Sequence, residues 1–570
     1  MYKKNLAKPD ESIYEHTKLV LEGCKILLEN EYIDKETSIM LKPACQYHDI
    51  GKLNKHFSLR LKNGTKFNPK LEVGHNILSA FLASYYIDLE TEKKDIVINA
   101  ILNHHHYIEN YSYINENRSL INTSLEEMNL NLKIDDETFK QKVISSIGNR
   151  RIQKLKKNRT TPDYIKVKGL LNKCDYAASA HIDVELKNDF LEDSISKLDY
   201  DWNEMQIFCQ ENKDSNLIVV GSTGLGKTEA SLLWSGNSKI FYVLPLRTSI
   251  NAMYFRIRDK IIIENVEDRL GLLHGDTASI YLQDVNSSDG IANDKVIEED
   301  LKFFDYYDRT KSMSLPITVA TPDQLFDFVF KYPAYELKLA TFSYSKIIID
   351  EIQAYSPDIL AYTIMAIKRI NILGGQFALF TATLAPFVRD LLLENHKDEM
   401  PIKCKEASFL SRVDRHVLKV IEERISGSYV LQTLENSDVK SGLIIMNTVK
   451  EAQAMFDELQ NHADKNKYEF NLLHAKFTGR DRKAKETAIL KDGDPELREE
   501  NAKVKIWIST QIVEASLDID FDILFTELSE LLGLFQRMGR CYRKREKTDE
   551  VPNIHVFTEI NDSYLTSEAG

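Results

Sequence analysis

The stretch "NLIVVGSTGLGKTEA", residues 216–230, joins an aliphatic run to a helical pattern through a glycine-rich turn. It fits G-x-x-x-x-G-K-[S/T] in the setting that pattern demands, a strand before and a helix after. Such a turn needs backbone amides converging on one point, which confines the chain to a strand–loop–helix unit. Gly224 and Gly226 let the backbone approach phosphates, Lys227 can reach the β and γ oxygens, and Thr228 can hold Mg²⁺.

The residues after Trp202 repeat that grammar. Short apolar runs ("KIFYVL", "KIIID", "QFALF", "GLIIM", "KIWIS", "DILFT") alternate with helical patterns, the rhythm of a parallel sheet covered on both faces. They fall into two groups, roughly residues 204–401 and 412–557, which predicts two tandem α/β units. "IIIDEIQAY" ends a strand in Asp350 and Glu351; the first can bind Mg²⁺ and the second polarise an attacking water. In "TATLAP", Thr381 and Thr383 sit at a strand tip, suited to coupling nucleotide state to the interdomain cleft or simply to capping a helix. In "LFQRMGRCYR", Arg537, Arg540 and Arg543 can face a phosphate across that cleft.

The first 180 or so residues follow another period. "EHTKLVLEGCKILLENEYI" and "HNILSAFLASYYI" space apolar residues by three and four, as helices do, while the Asn-rich "YIENYSYINENRSLINTS" reads as a loop. Histidines cluster here: His16, His48 followed by Asp49 in "QYHDIGK", His75, then His104, His105 and His106 in "NHHHY", with Asp175 closing the set. Any one alone would be an ordinary helix residue. On successive helices they form the imidazole and carboxylate set that divalent transition metals prefer. Asp49 is placed to bridge two ions; two metals about 3.5–4 Å apart can activate water and hold both oxygens of a phosphodiester exchange. Lys52 can offset developing negative charge.

Composition bounds the rest. At 570 residues the chain exceeds one core, and roughly 150 residues per domain suggests about four units. No apolar run approaches the ~20 residues of a membrane span, and "MYKKNLAKPDES" lacks an apolar secretion signal. Six dispersed cysteines without a C-x-x-C pair fit a reducing cytoplasm and argue against a disulfide framework or structural zinc. A net charge of −13 excludes non-specific nucleic-acid binding over the whole surface, so a polyanion needs a local basic groove. Residues 140–173 supply one, with eleven Lys or Arg against the single acid Asp163.

The ordered motifs of residues 204–560 resemble a superfamily 2 helicase core, and the histidine pattern resembles the HD phosphohydrolases. Together, with "LPLRTSINAMYFRI" and "STQIVEASLDIDFD", the chain resembles the CRISPR-associated helicase–nucleases of type I systems. The resemblance implies an all-α HD-type helical domain (1–185), a linker (186–203) and two tandem RecA-like α/β domains with parallel sheets (204–408 and 409–570). It implies one metal on His16, His48, Asp49 and Asp175, and a second on Asp49, His75, His104 and His105, with His106 in the place of a small residue. Mn²⁺, Fe²⁺, Co²⁺ or Ni²⁺ would serve. Gln206 would read the adenine of ATP, and Asp518 would join the nucleotide site. Pro245, Arg247, Thr321, Asn447, Thr448 and Thr510 would lie along the nucleic-acid track. It further implies ATP-driven 3′→5′ translocation, cleavage of single-stranded DNA in an R-loop, recruitment by an RNA-guided surveillance complex (Cascade), and an anti-CRISPR inhibitor as a further partner. Two features depart from the family: Gln353 stands where it has histidine, and the chain ends about 30 residues after "QRMGR", where the family continues into a linker and an accessory domain. Two other functions suit the same motifs: an HD nucleotide phosphohydrolase with a regulatory ATPase, and a remodelling helicase without nuclease activity.

Overall fold

The computed structural model describes residues 5–105, 110–222, 224–275, 306–394, 402–410, 413–497, 503–514, 519–543 and 545–560. His106 and Asp518 lie outside them. The N-terminal unit is helical, and among its helices are α1 (Ile13–Glu29), α2 (Lys35–Tyr47), α3 (His75–Tyr86), α4 (Thr91–Leu102), α5 (Asn149–Asn158) and α6 (Pro162–Ala180). Ser12 opens α1 with a reciprocal capping box to Glu15. One core runs through the unit, from Val20 and Leu27 on α1 through Phe81 on α3 to Leu170 on α6. The Asn-rich stretch expected as a loop is instead helical at Asn110–Glu116 and Arg118–Leu132. Ile121, Leu125 and Met128 fall on one face and are buried, and that burial outweighs the poor helix propensity of asparagine.

Two wholly parallel sheets follow. The first has seven strands: β1 (Asn216–Gly221), β2 (Lys239–Val243), β3 (Leu270–Leu273), β4 (Ile317–Ala320), β5 (Ser345–Asp350), β6 (Gln376–Thr381) and β7 (Cys404–Phe409), in the order β3-β4-β2-β5-β6-β1-β7. Its strands are apolar on both faces because both are covered: Leu217, Val219, Ile240 and Tyr242 enter one core, Ile218, Phe241 and Val243 the other. Helix α7 (Lys227–Ser235) follows β1, and α8 (Tyr335–Phe342) precedes β5. The second sheet has six strands, β8 (Leu418–Ile421), β9 (Ser441–Ile445), β10 (Tyr468–Leu473), β11 (Val504–Ser509), β12 (Ile523–Glu527) and β13 (Ile554–Phe557), in the order β8-β13-β12-β9-β11-β10. Helix α9 (Leu531–Met538) follows β12. Residues 186–203, expected as a linker, carry a helix at Leu191–Ser196 whose Leu191 and Ile195 join Phe190 in the first sheet's core. The apolar and aromatic residues of that stretch gave it something to bury.

The helical unit is docked on the first sheet by α6, which packs against α8. Lys168 and Glu336 pair there at 3.0 Å, both almost wholly buried. Glu185 joins three elements: Lys239 at 2.7 Å, Lys173 at 3.1 Å and the hydroxyl of Tyr344 at 2.8 Å.

Candidate metal centre and nucleotide site

The expected ligands gather around Asp49. Helix α2 stops at His48 and turns into a 3-10 segment, Ile50–Leu53, which Asp49 opens with φ −107° and ψ 4°. Gly51 permits the turn: a Cβ there would stand 2.1 Å from the His75 carbonyl oxygen, so α3 could not approach. Two groups of ligand atoms result, His16, His48 and Asp49 in one, Asp49, His75, His104 and His105 in the other, with Asp49 common to both. Asp49 Oδ2 lies 3.4 Å from His48 Nε2 and 3.7 Å from His16 Nε2, while Oδ1 lies 3.3 Å from His75 Nε2. Asp175 Oδ1, on α6, is 3.0 Å from His16 Nε2 and 3.8 Å from His48 Nε2. Lys52 Nζ is 2.7 Å from Asp49 Oδ2.

Backbone contacts set the tautomers. The Nδ1 of His48 lies 2.9 Å from the Cys45 carbonyl and that of His104 lies 2.6 Å from the Ile101 carbonyl. With Nδ1–H donating to those carbonyls, each Nε2 turns its lone pair inward. Both Nε2 atoms and the Nε2 of His75 are buried without a hydrogen-bond partner, while Asp49 Oδ2 has the Lys52 ammonium beside it. Such orphans are costly unless something cationic sits among them, so the donor set fits divalent metal. Burial pushes His75 and His104 below the ordinary imidazole range and His105 down to about 4, keeping all three neutral. Burial would raise Asp49, but His48, Lys52 and His75 overcome it and hold the carboxyl well below its usual range. Glu11 was not anticipated: its Oε2 is 3.4 Å from His16 Nδ1. Nothing in its local sequence marks it, because only the packing of residues 5–12 against α1 brings it there.

The phosphate loop has the predicted form. Gly224 and Gly226 take φ of +85° and +77°, a region closed to most side chains, and Gly226 opens α7. Lys227 Nζ donates to the Gly221 carbonyl at 3.2 Å and stands 3.6 Å from Glu351 Oε1. Thr228 is buried on the first turn of α7. Asp350, at the end of β5, accepts from the Tyr242 hydroxyl at 3.0 Å; burial and the neighbouring Glu351 push its carboxyl up to about 7. Glu351 adopts φ +53°, a strained position for a side-chain-bearing residue. Gln353 donates to Glu351 and accepts from Thr381, which also donates to the Thr383 carbonyl at 2.6 Å. The departure from histidine thus falls on the residue linking the acidic pair to the threonine tip. Gln206 braces the loop, its Nε2 donating to the Gly226 carbonyl at 3.3 Å and its Oε1 accepting from the Asn203 amide.

The three arginines separate into different roles. Arg537 is fully buried on α9 and donates to Thr526, to the Glu527 carbonyl, to Asn447 and to Glu514. It is a clamp within the second sheet's domain. Arg540 donates to the Glu514 carbonyl. Arg543 lies against the phosphate loop: its carbonyl oxygen would be 3.7 Å from a Cβ on Gly224. Of the expected track residues, Arg247 is exposed, Pro245 partly so, and Thr321, Asn447 and Thr510 are buried. Thr448 caps the helix Val449–His462.

Three families match the chain in succession: the HD domain over residues 13–137, the DEAD/DEAH box helicase over 205–391, and the C-terminal part of the CRISPR-associated nuclease/helicase Cas3 over 438–546. A CRISPR-associated nuclease/helicase Cas3 of Methanothermobacter thermautotrophicus is 29% identical over 415 residues, which is 70% of this chain and 47% of that protein. The chain therefore spans about half that relative's length. The crystal structure of T. fusca Cas3 with ATP superposes with a TM-score of 0.67 at 16% identity, over 99% of this chain and 75% of that one. A chain of a CRISPR RNA-guided surveillance complex in a pre-nicking state superposes at 0.60 and 16% identity, over 99% and 74%. The chain is thus similar, along its length, to the CRISPR-associated nuclease/helicases, and consists of a helical HD domain followed by two RecA-like domains with parallel sheets.

Proposed function

We propose that the chain is the nuclease and motor of a type I CRISPR effector, using ATP to move 3′→5′ along DNA while its HD domain cuts the displaced single strand. The observation that carries the nuclease half is the set of buried imidazole nitrogens without hydrogen-bond partners that converge on the Asp49 carboxylate. Two divalent ions held there, one by His16, His48, Asp49 and Asp175, the other by Asp49, His75, His104 and His105, would activate water and take up charge on the phosphodiester. Asp49 spans the two ligand groups, Glu11 orients His16, and Lys52 supplies positive charge beside Asp49. In the motor, Lys227 and the loop amides would grip the phosphates of ATP, Thr228 and Asp350 would hold Mg²⁺, Glu351 would orient water and Gln206 would meet the base. Arg540 and Arg543 stabilise the transferring phosphoryl group. The pre-nicking surveillance complex, whose chain shares this fold, supports recruitment by a Cascade-type assembly to an R-loop in the cytoplasm.

Two variants test the division of labour. Asp49→Ala should lose Mn²⁺-dependent cleavage of single-stranded DNA and keep DNA-stimulated ATPase. Lys227→Ala should lose ATP hydrolysis and still cut short single strands. Intact cutting in Asp49→Ala would end the two-metal assignment; hydrolysis of deoxynucleoside triphosphates in place of DNA would favour a nucleotide phosphohydrolase.

A further inference from the structure

The candidate metal centre is closed on most sides. The side chains of His16 and His48 are 1% and 0% exposed and that of Asp49 2%, whereas His75 is 17% exposed, so the centre opens at the start of α3. The segment between Lys52 and Glu72 leads up to that opening. It carries six Lys or Arg (Lys52, Lys55, Arg60, Lys62, Lys66 and Lys70) against the single acid Glu72, a local exception on a chain of net charge −13. Its helix, Lys55–Asn63, is capped by the Asn54 side chain, which accepts from the His56 amide at 2.7 Å, and ends at Gly64 with φ +63°. None of its nine residues is buried. A helix that short ordinarily draws its stability from an apolar face laid on a core, and this one leaves its surface unpartnered.

The aromatic and cationic side chains of the segment form a series leading away from the opening. The Phe57 ring stands edge-on to the His75 imidazole, the ring centres 5.9 Å apart. The Arg60 guanidinium lies 5.0 Å from the centre of the Phe57 ring and 5.8 Å from that of Phe67, and Lys52 Nζ lies 5.7 Å from the Phe57 ring. Glu72 fixes Arg60, accepting from its Nε at 3.0 Å, and the Tyr113 hydroxyl in turn donates to the Glu72 carbonyl at 3.4 Å. Phe67 is 46% exposed. Lys66 and Lys70 flank it in the chain; both are exposed, and neither is in an ion pair with a described residue.

Flat apolar faces interleaved with unpaired cations fit one class of ligand. Phosphates take the cations, and unpaired bases take the ring faces whatever their sequence. A duplex offers the same phosphates but keeps its base faces stacked on one another. We infer that this segment is a binding site for single-stranded DNA. A base stacks on Phe67, braced by the Arg60 guanidinium; Lys66 and Lys70 pair with the adjoining phosphates; and Phe57 leads the strand to the His75 side of the metal centre. No bond is made or broken on this surface, which positions the strand. The inference rests on the reading of the centre as a nuclease of single strands, and adds where the strand lies before it is cut.

The test uses the full chain. With metal removed, so that nothing is cut, a short oligothymidylate carrying one 5-iodouracil is irradiated on the protein and the crosslinked peptides are mapped. One of them should contain Phe67, and a blunt duplex carrying the same base should leave that peptide unmarked. With Mn²⁺ and without ATP, Phe67→Ala should raise the KM for cleavage of the single strand by about tenfold with kcat little changed, and Phe67→Trp, which keeps a stacking face, should restore it. Changing Lys66 and Lys70 together to Gln should make the salt dependence of that KM shallower by up to about 1.4 units, at roughly 0.7 per phosphate. All three side chains are exposed, so the thermal midpoint should stay at the wild-type value; if it falls, the wild-type crosslink map decides. No crosslink on the Phe67 peptide, equal marking by the duplex, or a loss in Phe67→Ala that Phe67→Trp does not restore would overturn the inference. A wild-type chain that takes the crosslink at Phe67 yet never cuts the strand would overturn the nuclease reading and leave the binding site standing.

Discussion

Glu11 stands 3.4 Å behind His16 and Gln353 bridges Glu351 to Thr381, and these two residues illustrate how support around a site decides its performance. A carboxylate behind a ligating imidazole fixes the ring and raises its basicity, and losing such a partner typically weakens metal affinity by about 10–100-fold. Glu11→Gln should therefore weaken Mn²⁺ binding by about tenfold in a calorimetric titration while the second ligand group is unchanged; equal affinity would show that His16 needs no such orientation. Gln353→Ala removes the link between the acidic pair and the threonine tip. It should lower DNA-stimulated ATPase by about tenfold, roughly 1.4 kcal/mol of barrier, and leave the DNA-independent rate closer to normal. If both rates fall alike, Gln353 serves the chemistry and not the coupling.

At the scale of elements, α6 joins the candidate metal centre to the first sheet's domain, carrying Asp175 and, two turns before it, Lys168. A buried pair such as Lys168–Glu336 costs desolvation, but removing one partner leaves an uncompensated charge, a loss of about 3–5 kcal/mol. Glu336→Gln should lower the unfolding midpoint markedly, and pairing it with Lys168→Met should recover much of the loss. A double variant no better than the single would show that the pair is not what the joint depends on. Strand β13 offers a pH dependence. His555 is buried against Phe525 and Tyr429, and burial pushes its imidazole down to about 4. Between the unfolded value of about 6.5 and that value, the unfolded chain takes up a proton that the folded one refuses. Stability should therefore fall as pH drops through this window, and His555→Gln should flatten the slope measured by denaturant titration.

At the scale of the whole molecule, the proposed function raises the question of how a chain of net charge −13 would hold DNA. The basic run of residues 140–173 becomes helix α5 and its neighbours, and part of it is already spoken for. Arg151 and Lys154 both pair with Asp95, at 2.7 and 2.9 Å, and Lys168 and Lys173 are buried in the joint. Lys156, Lys157 and Arg159 remain at the surface, Lys156 and Arg159 over the Tyr111 ring. Changing those three to Gln should make the salt dependence of single-strand binding shallower by up to about 2 units, at roughly 0.7 per phosphate released. An unchanged slope would place the DNA path elsewhere.

The phosphate loop, the Asp350-Glu351 strand end and the two α/β units were legible in the sequence because each is a local pattern: spacing, periodicity and turn chemistry do not need the fold to be recognised. Three kinds of fact came only from the tertiary structure. The Asn-rich stretch became helix because Ile121, Leu125 and Met128 found a core to enter, which local propensity does not record. Arg537 was withdrawn into a clamp because Asn447, Glu514 and β12, distant in the chain, surround it. Glu11 stands behind His16 because the segment before α1 folds back on that helix. A residue's chemistry is written in its type and its neighbours along the chain. What it faces is decided by helices and strands closing over apolar surface, a choice the whole chain makes at once.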